Sequence, residues 1–343
     1  MNTFSAVNLN IKEMKKNVLF LFALLFGATC MVSAQQPEGA AKVRAKKHDV
    51  NRLSEDYFIP NRFKGKTILV TGGARGIGKS TAVRAAKEGA NVVIMDWLEV
   101  DGRRVVDSIK NIGGEALFVY GNIQKDEDCR RMVSETVKAY GKLDYACLNA
   151  GVMDGVFSGT PFKYDEEQRK LMPAIITEAT DEYWDKVFAT NAAGTFKSMR
   201  AVLDQMLKQG EGGAIVVVAS IAGMTGLSGN PAYVASKHAV NGLVRNAAID
   251  YAPYGIRINS VNMAETLTPM VERAGDFVRA EQKAGIGFGM GGIKTMSLLK
   301  YTDSQHRGSF PWEQASTMLY LISDEASAIT GTIMATDGGW TDY

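Results

Sequence analysis

The sequence predicts an α/β fold, a doubly wound parallel sheet in a single domain, and three observations carry that reading. From Phe63 onward short β-branched runs alternate with amphipathic stretches. A glycine-rich turn follows the first such run and opens the first helical stretch. The 35 glycines suit a chain with many tight strand-to-helix turns.

Taken in order, the first predicted strand is Thr67 to Val70, followed by a helix from Ile77 to Glu88 that stops at Gly89. The strand Asn91 to Met95 leads into a helix from Glu99 to Ile112, and the strand Ala116 to Tyr120 into a helix from Glu127 to Tyr140. Later strands are Tyr145 to Asn149, Ala214 to Ala219, Arg257 to Val261 and Thr332 to Ala335. Strands alternating with helices imply a parallel sheet covered on both faces.

The totals fit this picture. The chain has 343 residues, 46% hydrophobic and 22% charged, ample for one sizeable core. A net charge of +2 leaves no footprint for nucleic acid. Cys30, Cys129 and Cys147 show neither metal-ligand spacing nor a disulfide framework, so no metal is expected. Cys147, in an apolar strand-like run, reads as a small buried hydrophobe.

Residues 1–34 read as a leader. Lys15 and Lys16 follow Met14, an apolar run extends from Val18 to Cys30, and Val32-Ser33-Ala34 precedes Gln35. That is the anatomy of a secretory signal, cleaved near Ala34 to leave an exported, periplasmic protein. An uncleaved anchor and a lipoprotein through Cys30 are the alternatives, and the protein is cytoplasmic if the leader is not used. No twin arginine precedes the apolar run, so export is expected to be of an unfolded chain. Residues 35–61, polar and basic, read as a linker or loosely docked arm before the domain of residues 62–343.

The glycine turn is Thr71-Gly72-Gly73-Ala74-Arg75-Gly76-Ile77-Gly78. Glycine is needed here so that the chain can turn tightly, let its backbone approach a pyrophosphate and pack helix on strand. The helix N-terminus then offers free N–H groups to phosphates. This is a Rossmann-type dinucleotide site, and Asp96, eighteen residues after Gly78, is placed to bond ribose hydroxyls. A carboxylate there repels a 2′-phosphate, which favours NAD over NADP; Arg75 pulls weakly the other way.

Tyr233 and Lys237 lie four apart and share one helix face, and Ser220 precedes Tyr233 by thirteen residues. A phenol becomes a useful acid–base group when a neighbouring ammonium stabilises its phenolate.

Together with Asn149-Ala150-Gly151, these motifs resemble the compact branch of the short-chain dehydrogenase/reductase family, from about Lys64 to Gly339. The resemblance implies Tyr233 as general acid/base, Ser220 polarising the substrate oxygen, and Lys237 acting on both Tyr233 and the nicotinamide ribose. It implies a proton-relay role for Asn191. Gly72, Arg75, Gly76, Ile77, Gly78, Asp96, Asn149, Ala150, Gly151 and Thr268 would line the cofactor site, with Asn122 and Ile123 bracketing the adenine. The C-terminal Ile329–Gly339 stretch implies subunit contacts, in a homotetramer or homodimer.

Three departures stand out. Leu148 replaces a family asparagine, and Met263-Ala264 replaces a Pro-Gly turn that orients the nicotinamide carboxamide. The stretches from Gly151 to Asn191 and from Val271 to Phe310 are long, and both lie at strand carboxyl ends, where ligands bind. The expected activity is NAD(H)-dependent interconversion of a secondary alcohol and a ketone, with a steroid, bile-acid, sugar or polyol substrate. The alternatives are an exported NAD-binding protein without catalysis, and an enzyme that recycles tightly bound NAD in a redox-neutral reaction.

Overall fold

The computed structural model describes residues 48–285 and 298–342. The leader, residues 35–47 of the polar arm and part of the long 271–310 segment fall outside the described residues. Seven strands form one parallel sheet: β1 (Thr67–Thr71), β2 (Asn91–Asp96), β3 (Glu115–Tyr120), β4 (Tyr145–Leu148), β5 (Gly213–Val218), β6 (Ile256–Met263) and β7 (Ile333–Thr336). Their order is β3-β2-β1-β4-β5-β6-β7. The chain therefore winds outward from β1 to one edge, returns to β4 and winds to the other. The reversal opens a crevice beyond the carboxyl ends of β1 and β4, where Thr71 pairs with Leu148.

The strands read as near-continuous apolar runs because both faces are covered. On one face Leu69, Val93, Met95, Ala146, Leu148, Ile215 and Val217 pack against α3 (Asp126–Tyr140), α6 (Thr195–Gln209) and α7 (Pro231–Tyr251). On the other, Ile68, Val70, Val92, Ile94, Cys147, Ala214 and Val216 meet α1 (Gly76–Lys87), α2 (Glu99–Asn111) and α9 (Pro311–Ile322). Each fully buried aliphatic side chain contributes about 1.5–3 kcal/mol. A one-residue slip would exchange the two faces, so the register is firmly set.

Several boundaries shift by a residue or two from expectation, and two of the shifts have clear local reasons. β4 ends at Leu148, not Asn149, because the amides of Asn149 and Ala150 donate to the Thr71 hydroxyl at 3.1 and 3.2 Å instead of to a ladder carbonyl. β6 continues past Val261 to Met263, which pairs with Thr336. With no proline at 263, nothing interrupts that ladder.

The long stretch after β4 carries a single turn, α4 (Glu166–Arg169), and α5 (Asp181–Phe188), capped by Thr180, whose hydroxyl accepts from the Tyr183 amide at 3.1 Å. A π-helical turn over Ala189–Gly194 joins α5 to α6. After β6 comes α8 (Pro269–Lys283), and Val156, Met172 and Phe277 bury together where the two long stretches meet.

The described part of the polar arm is closely bound to the domain. The Arg62 guanidinium pairs with Glu88 at 2.5 Å, and the Glu88 carboxylate also accepts from the Ile59 amide at 3.1 Å. Arg84 lies under the Tyr57 ring. No helix among the described residues is long and apolar enough to cross a membrane.

Candidate active site

A cleft of about 780 Å³ opens at the crevice between β1 and β4. Its first wall is the glycine turn. Gly72 has φ +65°, and a Cβ there would stand 2.7 Å from Ala150 Cα. A Cβ on Gly78 would stand 2.2 Å from the Gly72 carbonyl oxygen. The Asn149 side chain holds the same turn by donating to the Gly72 carbonyl at 3.0 Å. Arg75, the residue before α1, supplies no side-chain cap, so the first N–H groups of that helix are left for a ligand. This backbone cradle fits a dinucleotide pyrophosphate.

Asp96 ends β2 with a carboxylate 8% exposed. Its oxygens accept from the amides of Ala74 at 3.0 Å and Leu98 at 2.9 Å. Burial raises its pKa, while the surrounding amides and the nearby Arg75 draw it back. Arg75 itself is taken up by Asp101 at 2.6 Å and by the Ser158 carbonyl at 3.2 Å. Asn122 forms a local turn in which its Oδ1 accepts from Gln124 N at 2.9 Å. Ile123 is buried, and a Cβ on Gly194 would come within 2.7 Å of it.

At the other end, β5 delivers Ser220 and α7 delivers Tyr233 and Lys237. Proline at the first position of α7 suits a helix start, where its missing N–H costs nothing. The Ser220 hydroxyl hydrogen-bonds with the Tyr233 phenol. Burial raises the phenol above its ordinary value, and that bond pulls it partly back. Lys237 donates to the Val218 carbonyl at 3.0 Å, and its Nζ stands 5.6 Å from the Tyr233 ring centre. Burial brings its ammonium down to about 8. The sequence led us to expect a phenol lowered by the ammonium; in the structure desolvation dominates both groups, and Ser220 supplies the compensation.

Of the expected site residues, Gly72, Arg75, Gly76, Ile77, Asp96, Asn122, Ile123, Asn149, Ala150, Gly151, Ser220, Tyr233, Lys237 and Thr268 line one cleft. Gly78 and Asn191 do not. Gly78 lies behind the turn it permits, and Asn191, 1% exposed, lies beneath the floor. Asn191 Nδ2 also donates to Ser236 Oγ at 3.0 Å, and Ser236 donates to the Tyr233 carbonyl at 2.8 Å. Thr268 caps α8, accepting from the Val271 amide at 3.4 Å.

The cleft also takes residues that sequence reasoning missed. Trp97 and Leu98 directly follow Asp96, and that adjacency was available as a signal. Asp154 and Arg273 pair at 3.5 Å on the opposite side, tying the stretch after β4 to α8. Arg52, from the arm, lines the cleft as well, and no local pattern announces it.

A glycine cradle at a helix N-terminus, an acid after the second strand and a buried Ser–Tyr–Lys group define a dinucleotide-dependent oxidoreductase. Residues 66–278 match the family described as short chain dehydrogenase. The chain belongs to that family, whose members act on CH–OH groups using NAD(P). It is 38% identical to a 3beta-hydroxysteroid dehydrogenase of Mediterraneibacter gnavus, over 83% of this chain and 98% of the relative. It is 35% identical to a cyclohexanol dehydrogenase of an Acinetobacter species, over 83% of this chain and 98% of that one. Among solved structures, a short chain dehydrogenase from Mycobacterium paratuberculosis bound to NAD superposes with a TM-score of 0.69. That pair is 26% identical over 82% of this chain and 100% of the other.

Proposed function

We propose that the protein is an NAD(H)-dependent dehydrogenase of cyclic secondary alcohols, with Tyr233 as the group that takes or returns the hydroxyl proton. The observation that carries this reading is the convergence of Ser220, Tyr233 and Lys237 on the cleft whose far end is bounded by Asp96. When NAD is bound, its nicotinamide supplies the hydride acceptor. The remaining work falls to the chain. Ser220 and Tyr233 hold the substrate oxygen from two sides, and Tyr233 moves the proton at that oxygen. Lys237, buried beside the tyrosine, supplies positive charge that favours the phenolate as it forms. Asn191 holds the floor beneath them.

The cofactor preference rests on two side chains. Asp96 presents carboxylate charge where a 2′-phosphate would lie, and Arg75 is already occupied by Asp101 and Ser158. Cyclic alcohols are favoured over open chains and sugars because of what the relatives' names share, a ring bearing a secondary hydroxyl: a 3beta-hydroxysteroid, cyclohexanol and cyclopentanol. Apolar lining from Val152, Val156, Leu227, Met263 and Met270 suits such rings.

The test is NADH formation by the purified protein with hydroxysteroids, cyclohexanol, cyclopentanol and sugar alcohols, beside the Tyr233→Phe variant. Turnover of a cyclic alcohol that the variant loses supports the reading. Turnover of sugars alone, or activity that survives in the variant, overturns it.

A further inference from the structure

The turn after β6 departs from the family pattern, since Met263-Ala264 stands where a rigid Pro-Gly was expected. Its geometry is fixed from outside. The Ser309 amide donates to the Glu265 carbonyl at 3.0 Å, and the Leu267 amide donates to the Ser309 carbonyl at 2.9 Å. The Ser309 hydroxyl lies 3.0 Å from that of Thr266 and accepts from Gln314 Nε2 at 2.9 Å. Lys300 pairs with Glu265. One short stretch of chain, Leu298 to Phe310, thus sets the turn that leads to Thr268.

That stretch is itself held by the arm. Arg52 pairs with Asp303 at 3.1 Å and with Glu313 at 3.1 Å, and donates to the Arg307 carbonyl at 3.1 Å. Asp303 is 2% exposed and Arg52 only partly exposed, which leaves the pair less screened than a surface ion pair. Glu313 also accepts from the Phe310 amide at 2.7 Å, and the guanidinium lies over the Phe310 ring. Neighbouring arm residues add to the seam: Val50 N donates to the Thr302 carbonyl at 3.0 Å, and Trp312 Nε1 to the Leu53 carbonyl at 2.9 Å. A guanidinium fork holds two carboxylates and a carbonyl in one fixed planar geometry, whereas the three donors of an ammonium rotate on a flexible stem.

We infer that Arg52 is a positioning residue for the substrate end of the cleft: through Asp303, Arg307 and Glu313 it fixes the Ser309 stretch, and through Ser309 the turn from Glu265 to Thr268. This rests on the dehydrogenase reading for its kinetic consequence but not for its structural one. The arm acts on the turn in place of the missing Pro-Gly.

The experiment compares the full chain with Arg52→Ala, Arg52→Lys and Glu313→Gln by hydrogen exchange, NADH binding and steady-state kinetics on the best cyclic alcohol. Faster exchange at the Leu267 and Ser309 amides is expected in Arg52→Ala. NADH affinity should fall by less than kcat/KM for the alcohol, which falls roughly tenfold or more, because the turn bears on the nicotinamide end alone and small misplacements near reacting groups are costly. Arg52→Lys, which keeps the charge without the fork, should show the same changes in smaller degree. If Arg52→Ala does not fold, Glu313→Gln tests the same link, because glutamine can still accept from the Phe310 amide. Unchanged exchange at Leu267 and Ser309 in a folded variant overturns the inference. So does equal loss of NADH binding and kcat/KM, which marks a merely structural role. If the wild-type protein turns over no cyclic alcohol but exchange changes as expected, the activity assignment fails and the positioning role stands.

Discussion

Asn191 grips the backbone of Val152 at both ends, its Oδ1 accepting from the Val152 amide and its Nδ2 donating to the Val152 carbonyl, each at 2.8 Å. Gly151 sits in the gap between this clamp and Lys237, where a Cβ would meet Asn191 Oδ1 at 3.2 Å and Lys237 Nζ at 3.4 Å. The floor of the reacting end is therefore set by a side chain that never reaches the cleft. Asn191→Ala should strip both of these bonds and the one to Ser236, and destabilise the protein by about 1–3 kcal/mol. Thermal denaturation measures this, and an unchanged melting temperature would show that the clamp is dispensable.

Tyr233→Phe removes one oxygen atom and leaves the ring packing intact. Loss of a general acid/base of this kind lowers kcat by roughly 10²–10⁴-fold. NADH binding, followed by fluorescence, should be retained, which separates loss of chemistry from loss of fold.

The two reaction directions should respond oppositely to pH. With Tyr233 as the proposed proton carrier, alcohol oxidation would use its phenolate, and burial holds the phenol above its ordinary value. Oxidation should therefore rise as pH climbs from neutral toward the point near 8, above which Lys237 loses the charge that favours the phenolate. Ketone reduction needs the protonated phenol and should be best on the neutral side. Parallel profiles in the two directions would speak against Tyr233 as the proton carrier.

Asp96→Ala should relax cofactor choice. Removing the carboxylate lifts its repulsion of a 2′-phosphate, worth about one to two orders of magnitude in the NADP to NAD ratio of kcat/KM. The Ala74 and Leu98 amides also lose their acceptors, so the variant should melt earlier.

Acid stability should depend on Asp303. A hydrogen bond from Arg307 is the main cause holding its carboxyl down to about 2, with the Gln305 amide and Arg52 adding to it against some desolvation. Its folded value lies below the unfolded one near 3.9, so the folded state binds fewer protons in that interval. The stabilisation is complete above the unfolded value and is lost as pH falls toward 2. In Asp303→Asn the melting temperature should be lower at neutral pH, and its fall over that window should be shallower.

What was legible in the sequence is what is local. Short apolar runs alternating with helical stretches disclosed the sheet because both its faces bury, and the glycine turn disclosed the crevice because Gly72 and Gly78 tolerate no side chain. Tyr233 and Lys237 share a helix face by spacing alone. Trp97 and Leu98 were within reach, adjacent to Asp96. The contacts of Arg52 were not: its partners Asp303 and Glu313 lie 251 and 261 residues away, and only tertiary structure joins them. Its segment, polar and without periodicity, carries no mark that separates a docked arm from a loose one. The clamp of Asn191 on Val152 likewise depends on the π-helical turn, which no residue pattern announces.

Cys129 and Cys147 are the free thiols of the described residues, both sealed at 0% exposure within the two faces of the sheet. Burial raises both thiols, leaving little of the reactive thiolate. The described domain is therefore held without a disulfide, and its folded state shields both thiols from oxidants. Once folded, the domain has no disulfide to lose among its described residues, so a reductant should leave its melting temperature unchanged.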